Sequence, residues 1–235
     1  MSNEEKLLPY FKELYNKILN KDFVIDKSGV KTVELIFPRI ELNPMQPMLD
    51  FNVRKTPIKY VEKELNWYNS QSLYIDNYVD DIDIWQKVCD KDGKINSNYG
   101  YLIYNKGNGN QYENCFNHLK NNKYSRQAIM IYNRPSMHKD YNKNGMNDFT
   151  CTMYNSFLIR NNKLISIFNM RSNDAIYGFF SDFPWACKVY EKLYNDLLNI
   201  YPELKKDSII WSSISFHVYE RHFNILEEII NSLKK

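Results

Sequence analysis

Two alternating apolar segments, residues 151–159 and 163–170, flank the pair Asn161-Asn162. Alternation puts every second side chain on one face of a strand. Asparagine tolerates the left-handed backbone that a tight hairpin turn demands. An antiparallel hairpin is predicted here, and its apolar face needs a covering layer. Residues 183–201 read as a helix with Pro184 in its first turn, 209–219 as a strand and 224–233 as a closing helix. Upstream, Leu7, Phe11, Leu14 and Ile18 give residues 4–20 an amphipathic helical stripe. Residues 32–42 alternate as a strand, after a turn at 26–29. Pro57 opens a helix over 58–68, and 128–132 is a short strand. Segments 76–109 and 135–148 read as polar, turn-rich loops; the second has a length usually tied to function. No repeat or composition break divides the 235 residues. The expectation is therefore a single α+β domain over 1–235: a large sheet with helices on one face, the other face covered by a dimer partner.

Net charge is only +3, which points away from a nucleic-acid surface and leaves room for a local basic phosphate pocket. No apolar run reaches membrane-spanning length, and no signal peptide is evident, so a cytoplasmic location is expected. Cys89, Cys115, Cys151 and Cys187 are widely spaced, as expected of reduced thiols, one of which is available as a nucleophile. Cys115 and His118 offer two ligands and no second pair, so no metal is expected. The 19 tyrosines predict many buried hydroxyls in need of partners.

Three segments place polar groups in apolar surroundings: Asp148 to Asn155 around Cys151, Arg171-Ser172-Asn173-Asp174 at a strand end, and His217 to His222 after a strand. A basic residue beside Ser and Asn can cradle a phosphate. A thiol needs a nearby cation to ionise near neutral pH, and Arg171 is the candidate. Taken singly, each feature has a bland reading: a core cysteine, a turn, a hydrogen-bonded structural histidine.

Together, and in order, these segments resemble the thymidylate synthase family. The separation of Cys151 from Arg171-Ser-Asn-Asp174 matches that family without a gap, as does Lys163-Leu164 after the turn. Glu64-Leu-Asn-Trp67, Ile84-Trp85, Tyr99-Gly100, Ser125-Arg126, Lys27-Ser-Gly29 and His217-Val-Tyr219 fall in place around them. The resemblance implies a large mixed sheet and a homodimer. It implies Cys151 as nucleophile, with Glu64 and Tyr99 in proton handling. Lys27, Arg171, Ser172, Asn173 and Arg126 of the partner subunit would hold the nucleotide 5′-phosphate end. His217 and Tyr219 would read the deoxyribose. Trp85, Asp174 and Gly178 would meet 5,10-methylenetetrahydrofolate, the co-substrate. The chain departs from the family at Thr150 and Thr152 around the nucleophile, at Lys27 and Gln127 among the phosphate cations, and at Ser156. It ends in Ser-Leu-Lys-Lys without an evident apolar tail.

Asp182 stands where thymidylate synthases carry asparagine. An amide matches uracil, whereas an ionised carboxylate accepts from the cytosine 4-amino group and repels uracil O4. The exchange resembles the deoxycytidylate hydroxymethylases of bacteriophage type, so dCMP is favoured over dUMP. Ser181 and the missing tail would admit water, favouring a hydroxymethyl product over a methyl one. Asp182 also reads as an N-cap for the helix from Phe183. The alternatives are a divergent synthase methylating dUMP, a dCMP methylase, and a non-catalytic nucleotide-binding homologue.

Overall fold

A computed structural model describes residues 1–232. Helix α1 (Asn3–Leu19) is followed by β1 (Val24–Ile25), β2 (Lys31–Ile36) and β3 (Ile40–Leu42). Helices α2 (Ile58–Ser70), α3 (Asp83–Val88), α4 (Tyr99–Tyr104) and α5 (Gln111–Asn121) come next. Then follow β4 (Ile129–Ile131), α6 (Met137–Asp140), β5 (Thr152–Arg160), β6 (Lys163–Asp174), α7 (Gly178–Leu198), β7 (Lys205–Tyr219) and α8 (Phe223–Ser232). Leu233, the expected end of the closing helix, and the rest of the tail lie outside the described residues. No described helix is long and apolar enough to cross a membrane.

The strands form a seven-stranded mixed sheet in the order β1-β2-β7-β6-β5-β4, with β3 also pairing with β7. β5 and β6 are the predicted hairpin, and Asn161 and Asn162 both adopt positive φ, 50° and 57°. β6 and β7 run parallel, with α7 as the crossover between them. That pairing sets Asp174 beside His217, so both predicted polar clusters leave the sheet at one place. On the covered face, Phe168 stacks on Trp211 at 4.6 Å and Phe179 of α7 meets Trp211 edge-on at 5.1 Å. On the other face, Ile129, Ser156, Ile167 and Ile210 make one cross-strand row, and Ile131, Tyr154 and Asn169 the next. Ile129 and Ile131 are exposed.

Three expectations need correction. The strand predicted over 32–42 is two strands, because Phe37 turns to φ 52° before Pro38. The loops predicted over 76–109 and 135–148 contain helices, α3 and α4 in the first and α6 in the second, and α5 follows the first. α3 and α4 are six residues each, too short for hydrophobic periodicity to reveal them; Asn98 caps α4 by accepting from the Tyr101 N–H at 2.8 Å. Finally, α7 begins at Gly178, five residues before the predicted start. The Asp174 carboxylate accepts from the N–H groups of Ile176 and Tyr177, turning the chain into the helix early. Asp182 is therefore inside the helix and caps nothing, and Pro184 is interior.

Candidate active site

The parallel ends of β6 and β7 open into a cavity of about 310 Å³. The end of β6 contributes Arg171, Ser172, Asn173 and Asp174, and the end of β7 contributes His217 and Tyr219. Helix α7 adds Gly178 and Asp182; α2 adds Glu64; Trp85 and Tyr99 come from α3 and α4. Cys151, just before β5, and Lys27, in the turn before β2, complete the lining. Every predicted site residue lines this one cavity except Arg126. Arg126 is exposed beside β4 and does not reach it. Tyr60, Tyr68, Ser97 and Asp148 also line the cavity without having been singled out for a role.

Cys151 sits opposite Arg171 because the hairpin brings the strand ends together. The Arg171 N–H donates to the Cys151 carbonyl at 2.8 Å, and Nη2 lies 3.5 Å from Sγ. The same guanidinium donates to the carbonyls of Phe149 (2.6 Å) and Thr150 (3.1 Å). It thus grips the backbone that carries Cys151. The expected thiolate does not follow. Burial pushes the thiol up to about 11; Arg171 opposes this, while the Asp182 and Asp148 charges add to it. The loop before Cys151 is anchored by Asp148, which accepts from the N–H of Asn96 and from the N–H and hydroxyl of Ser97.

Glu64 is 4% exposed, and burial raises its carboxyl to about 7 against the Tyr60 and Tyr68 hydroxyls and the Trp85 indole. Trp85 Nε1 is close enough to influence that carboxyl but makes no hydrogen bond of standard geometry. Tyr99 stacks on Tyr68 at 5.2 Å. This contact requires glycine at position 100, where a Cβ would sit 1.7 Å from the Tyr68 carbonyl oxygen.

Asp182 is held by a two-step relay. Trp211 Nε1 donates to Asn173 Oδ1 at 3.2 Å, and Asn173 Nδ2 donates to Asp182 Oδ2 at 3.0 Å. An indole nitrogen only donates, so the Asn173 amide has one orientation and Asp182 must accept from it. Burial, and then the Glu64 charge, hold Asp182 well above the usual carboxylate range. Burial in this cavity thus favours the neutral form of the carboxyl, where the ionised form is expected from sequence. Burial lowers His217, favouring its neutral form, and its ring meets Tyr219 edge-on at 4.8 Å. For Asp174, burial is outweighed by the His222 imidazole, whose Nδ1 lies 3.5 Å from Oδ2, and by hydrogen bonds from the N–H groups of Ile176 and Tyr177, leaving the carboxylate below its usual range. Among the described residues no group of three or more His, Cys, Asp or Glu is arranged to hold a metal.

The mixed sheet gathers these groups at one end of its parallel strands, and comparison with known proteins identifies the family. The thymidylate synthase family model matches residues 9–235. The chain belongs to the thymidylate synthase family, and it is a transferase. It is similar to the deoxycytidylate 5-hydroxymethyltransferase of Enterobacteria phage T6, at 44% identity over 88% of this chain and 83% of that protein. The enzyme of the same name from phage T4 is 43% identical over the same shares. A putative thymidylate synthase of Methanocaldococcus jannaschii is 30% identical over 73% of this chain and 71% of that protein.

Proposed function

We propose that this protein transfers a one-carbon unit from 5,10-methylenetetrahydrofolate to C5 of dCMP and adds water, giving 5-hydroxymethyl-dCMP. The observation that carries the base assignment is the Asp182 carboxyl, oriented by Asn173 and bordering the same cavity as Cys151. A neutral carboxyl has one acceptor for the cytosine 4-amino group and one O–H for cytosine N3. Uracil offers the opposite pattern at both places. In this pairing Oδ2 carries the proton to N3 while accepting from Asn173, and Oδ1 accepts from the 4-amino group.

Cys151 Sγ adds to C6, and the C5–C6 pair moves to C5, which becomes the carbon nucleophile. Arg171 sits beside the sulfur and lowers the cost of ionising it. A neutral Asp182 removes one anionic influence that opposes ionisation. Lys27, Arg171 and Ser172 line the side suited to the 5′-phosphate, and neutral His217 with Tyr219 suits a sugar hydroxyl. Glu64 and Tyr99 border the reacting carbon and handle protons.

The residues of the opposite wall fit a folate. Trp85 offers an aromatic face and a buried, unpaired indole N–H, and Asp174 offers a carboxylate. Gly178 leaves open a space where a Cβ would meet Asp182, Asn173 and Asp174 at 3.4–3.6 Å. When bound there, the folate supplies carbon at the methylene level. The reading extends to a homodimer, supported by exposed Ile129 and Ile131 on the uncovered sheet face, with Arg126 serving the partner's phosphate site. It treats residues 1–235 as one catalytic domain, supported by a single buried cluster running from Leu7 to Ile230. Four unpaired cysteines support a reducing, cytoplasmic setting. The test is incubation with dCMP and methylenetetrahydrofolate. Hydroxymethyl-dCMP without dihydrofolate absorbance is expected; dihydrofolate formation would reject the water step.

A further inference from the structure

Two tyrosines flank Glu64 on its own helix, Tyr60 one turn before it and Tyr68 one turn after. At i±4 spacing all three side chains share one face of α2. The Tyr60 hydroxyl donates to Glu64 Oε1 at 2.8 Å. Burial, and then the Glu64 charge, hold that hydroxyl well above its ordinary range, so it stays a donor at any working pH. Oε1 is therefore an acceptor whether Glu64 is charged or neutral, which leaves Oε2 the freer oxygen to take up a proton.

We infer that Tyr60 is a positioning residue which assigns the two oxygens of Glu64: it holds Oε1 and leaves Oε2 to exchange a proton with a water molecule in the cavity. This inference rests on the hydroxymethyl reading above. In that reading a water oxygen bonds to the exocyclic methylene carbon on C5. The double-bond pair moves into the ring and the water proton passes to Oε2. The ring pair then forms C5=C6 and expels the Cys151 sulfur with the C6–S electrons. No oxidant or reductant is consumed.

The groups facing Glu64 come from three helices: Tyr60 and Tyr68 of α2, Trp85 of α3 and Asp182 of α7. Of these, only Tyr60 donates to it with standard hydrogen-bond geometry among the described residues. The Tyr60 hydroxyl is also the largest influence opposing the effect of burial, which brings Glu64 to about 7. Its role is thus separable from that of its neighbours.

Tyr60→Phe keeps the ring and removes the donor. Two rates are followed between about pH 5.5 and 9: hydroxymethyl-dCMP formation, and tritium release from C5-tritiated dCMP. Loss of the hydrogen bond should raise the acid limb of product formation by about one pH unit, a roughly tenfold loss below the limb. KM for dCMP should not change, and product per tritium released should fall. An acid limb that stays in place overturns the inference, because a merely structural tyrosine would not move it. The Glu64 carboxyl is also titrated directly, by carbon-13 NMR of the unliganded protein. If the unmodified protein makes no hydroxymethyl-dCMP, the hydroxymethyl reading fails. The carboxyl titration then judges Tyr60 alone: an upward shift in Tyr60→Phe supports its hold on Glu64, and an unchanged titration overturns it.

Discussion

Replacing Asp182 with asparagine should reverse the base preference, and the relay behind it sets how cleanly. Trp211 fixes the Asn173 amide, so Asn173 Nδ2 still demands an acceptor at position 182. The new amide must turn its carbonyl to Asn173 and put its NH2 where Oδ1 now lies. The cytosine 4-amino group then faces a donor, and cytosine N3 faces a carbonyl. Both contacts are mismatched, while uracil O4 and N3–H are both matched. A mismatched buried polar contact costs about 1–3 kcal/mol, so two cost about 2–6 kcal/mol. At about 1.4 kcal/mol per tenfold, kcat/KM for dCMP should fall by roughly 30- to 20,000-fold, and the relief of uracil's two mismatches should move the preference further towards dUMP. The assay is kcat/KM for each nucleotide, followed by tritium release from C5-tritiated substrate. Asn173→Leu sharpens the test: with the carboxyl no longer oriented, discrimination should weaken without reversing. A ratio that moves by less than about fivefold in a folded Asp182→Asn protein would refute the assignment of Asp182 to the base.

Alkylation of Cys151, read by peptide mass spectrometry to separate it from half-exposed Cys89, should be slow at neutral pH. The rate should climb towards the thiol's raised value of about 11, and Arg171→Gln should slow it further by removing the main opposing charge. Gly100→Ala would drive a Cβ into the Tyr68 carbonyl. A loss of about 1–3 kcal/mol in urea unfolding and a displaced Tyr99 with reduced turnover are expected, whereas near-wild-type stability would contradict the close approach. If Arg126 serves a partner's phosphate, Arg126→Ala should raise KM for dCMP at least several-fold in a protein that sediments as a dimer. A monomer with full activity would count against the shared site.

The parts of the site legible in the sequence are those tied together by ladder geometry. A strand folded back at Asn161-Asn162 must return Arg171 to Cys151, and the ladder does so: Thr152 pairs with Met170, and the Arg171 N–H reaches the Cys151 carbonyl. Likewise Tyr60 and Tyr68 stand one turn either side of Glu64, a spacing that could have marked them beforehand. The start of α7 was not legible, because it depends on a carboxylate turn at Asp174 rather than on hydrophobic periodicity. Nor was the Asn173–Trp211 contact, which joins residues on neighbouring parallel strands separated by a whole helix.

Ionisation is the least local property of all, and here it changes the chemistry. Arg171 lies where the spacing predicted, 3.5 Å from the sulfur, yet the thiol is raised and not lowered. Pairwise attraction can be read from two positions, but desolvation sums over every group that excludes water from the cavity. The same burial that disfavours the Cys151 thiolate also raises Asp182 well above the usual carboxylate range and brings Glu64 to about 7. On the proposed reading, a cavity that ionised Cys151 by exposing it to water would also favour the ionised form of Asp182, which has no proton for cytosine N3. On that reading, base recognition and proton handling at Glu64 depend on the same burial that raises the Cys151 thiol. Arg171 is positioned to oppose that rise without exposing the cavity: it grips the Phe149 and Thr150 carbonyls beside the sulfur and brings its charge within 3.5 Å.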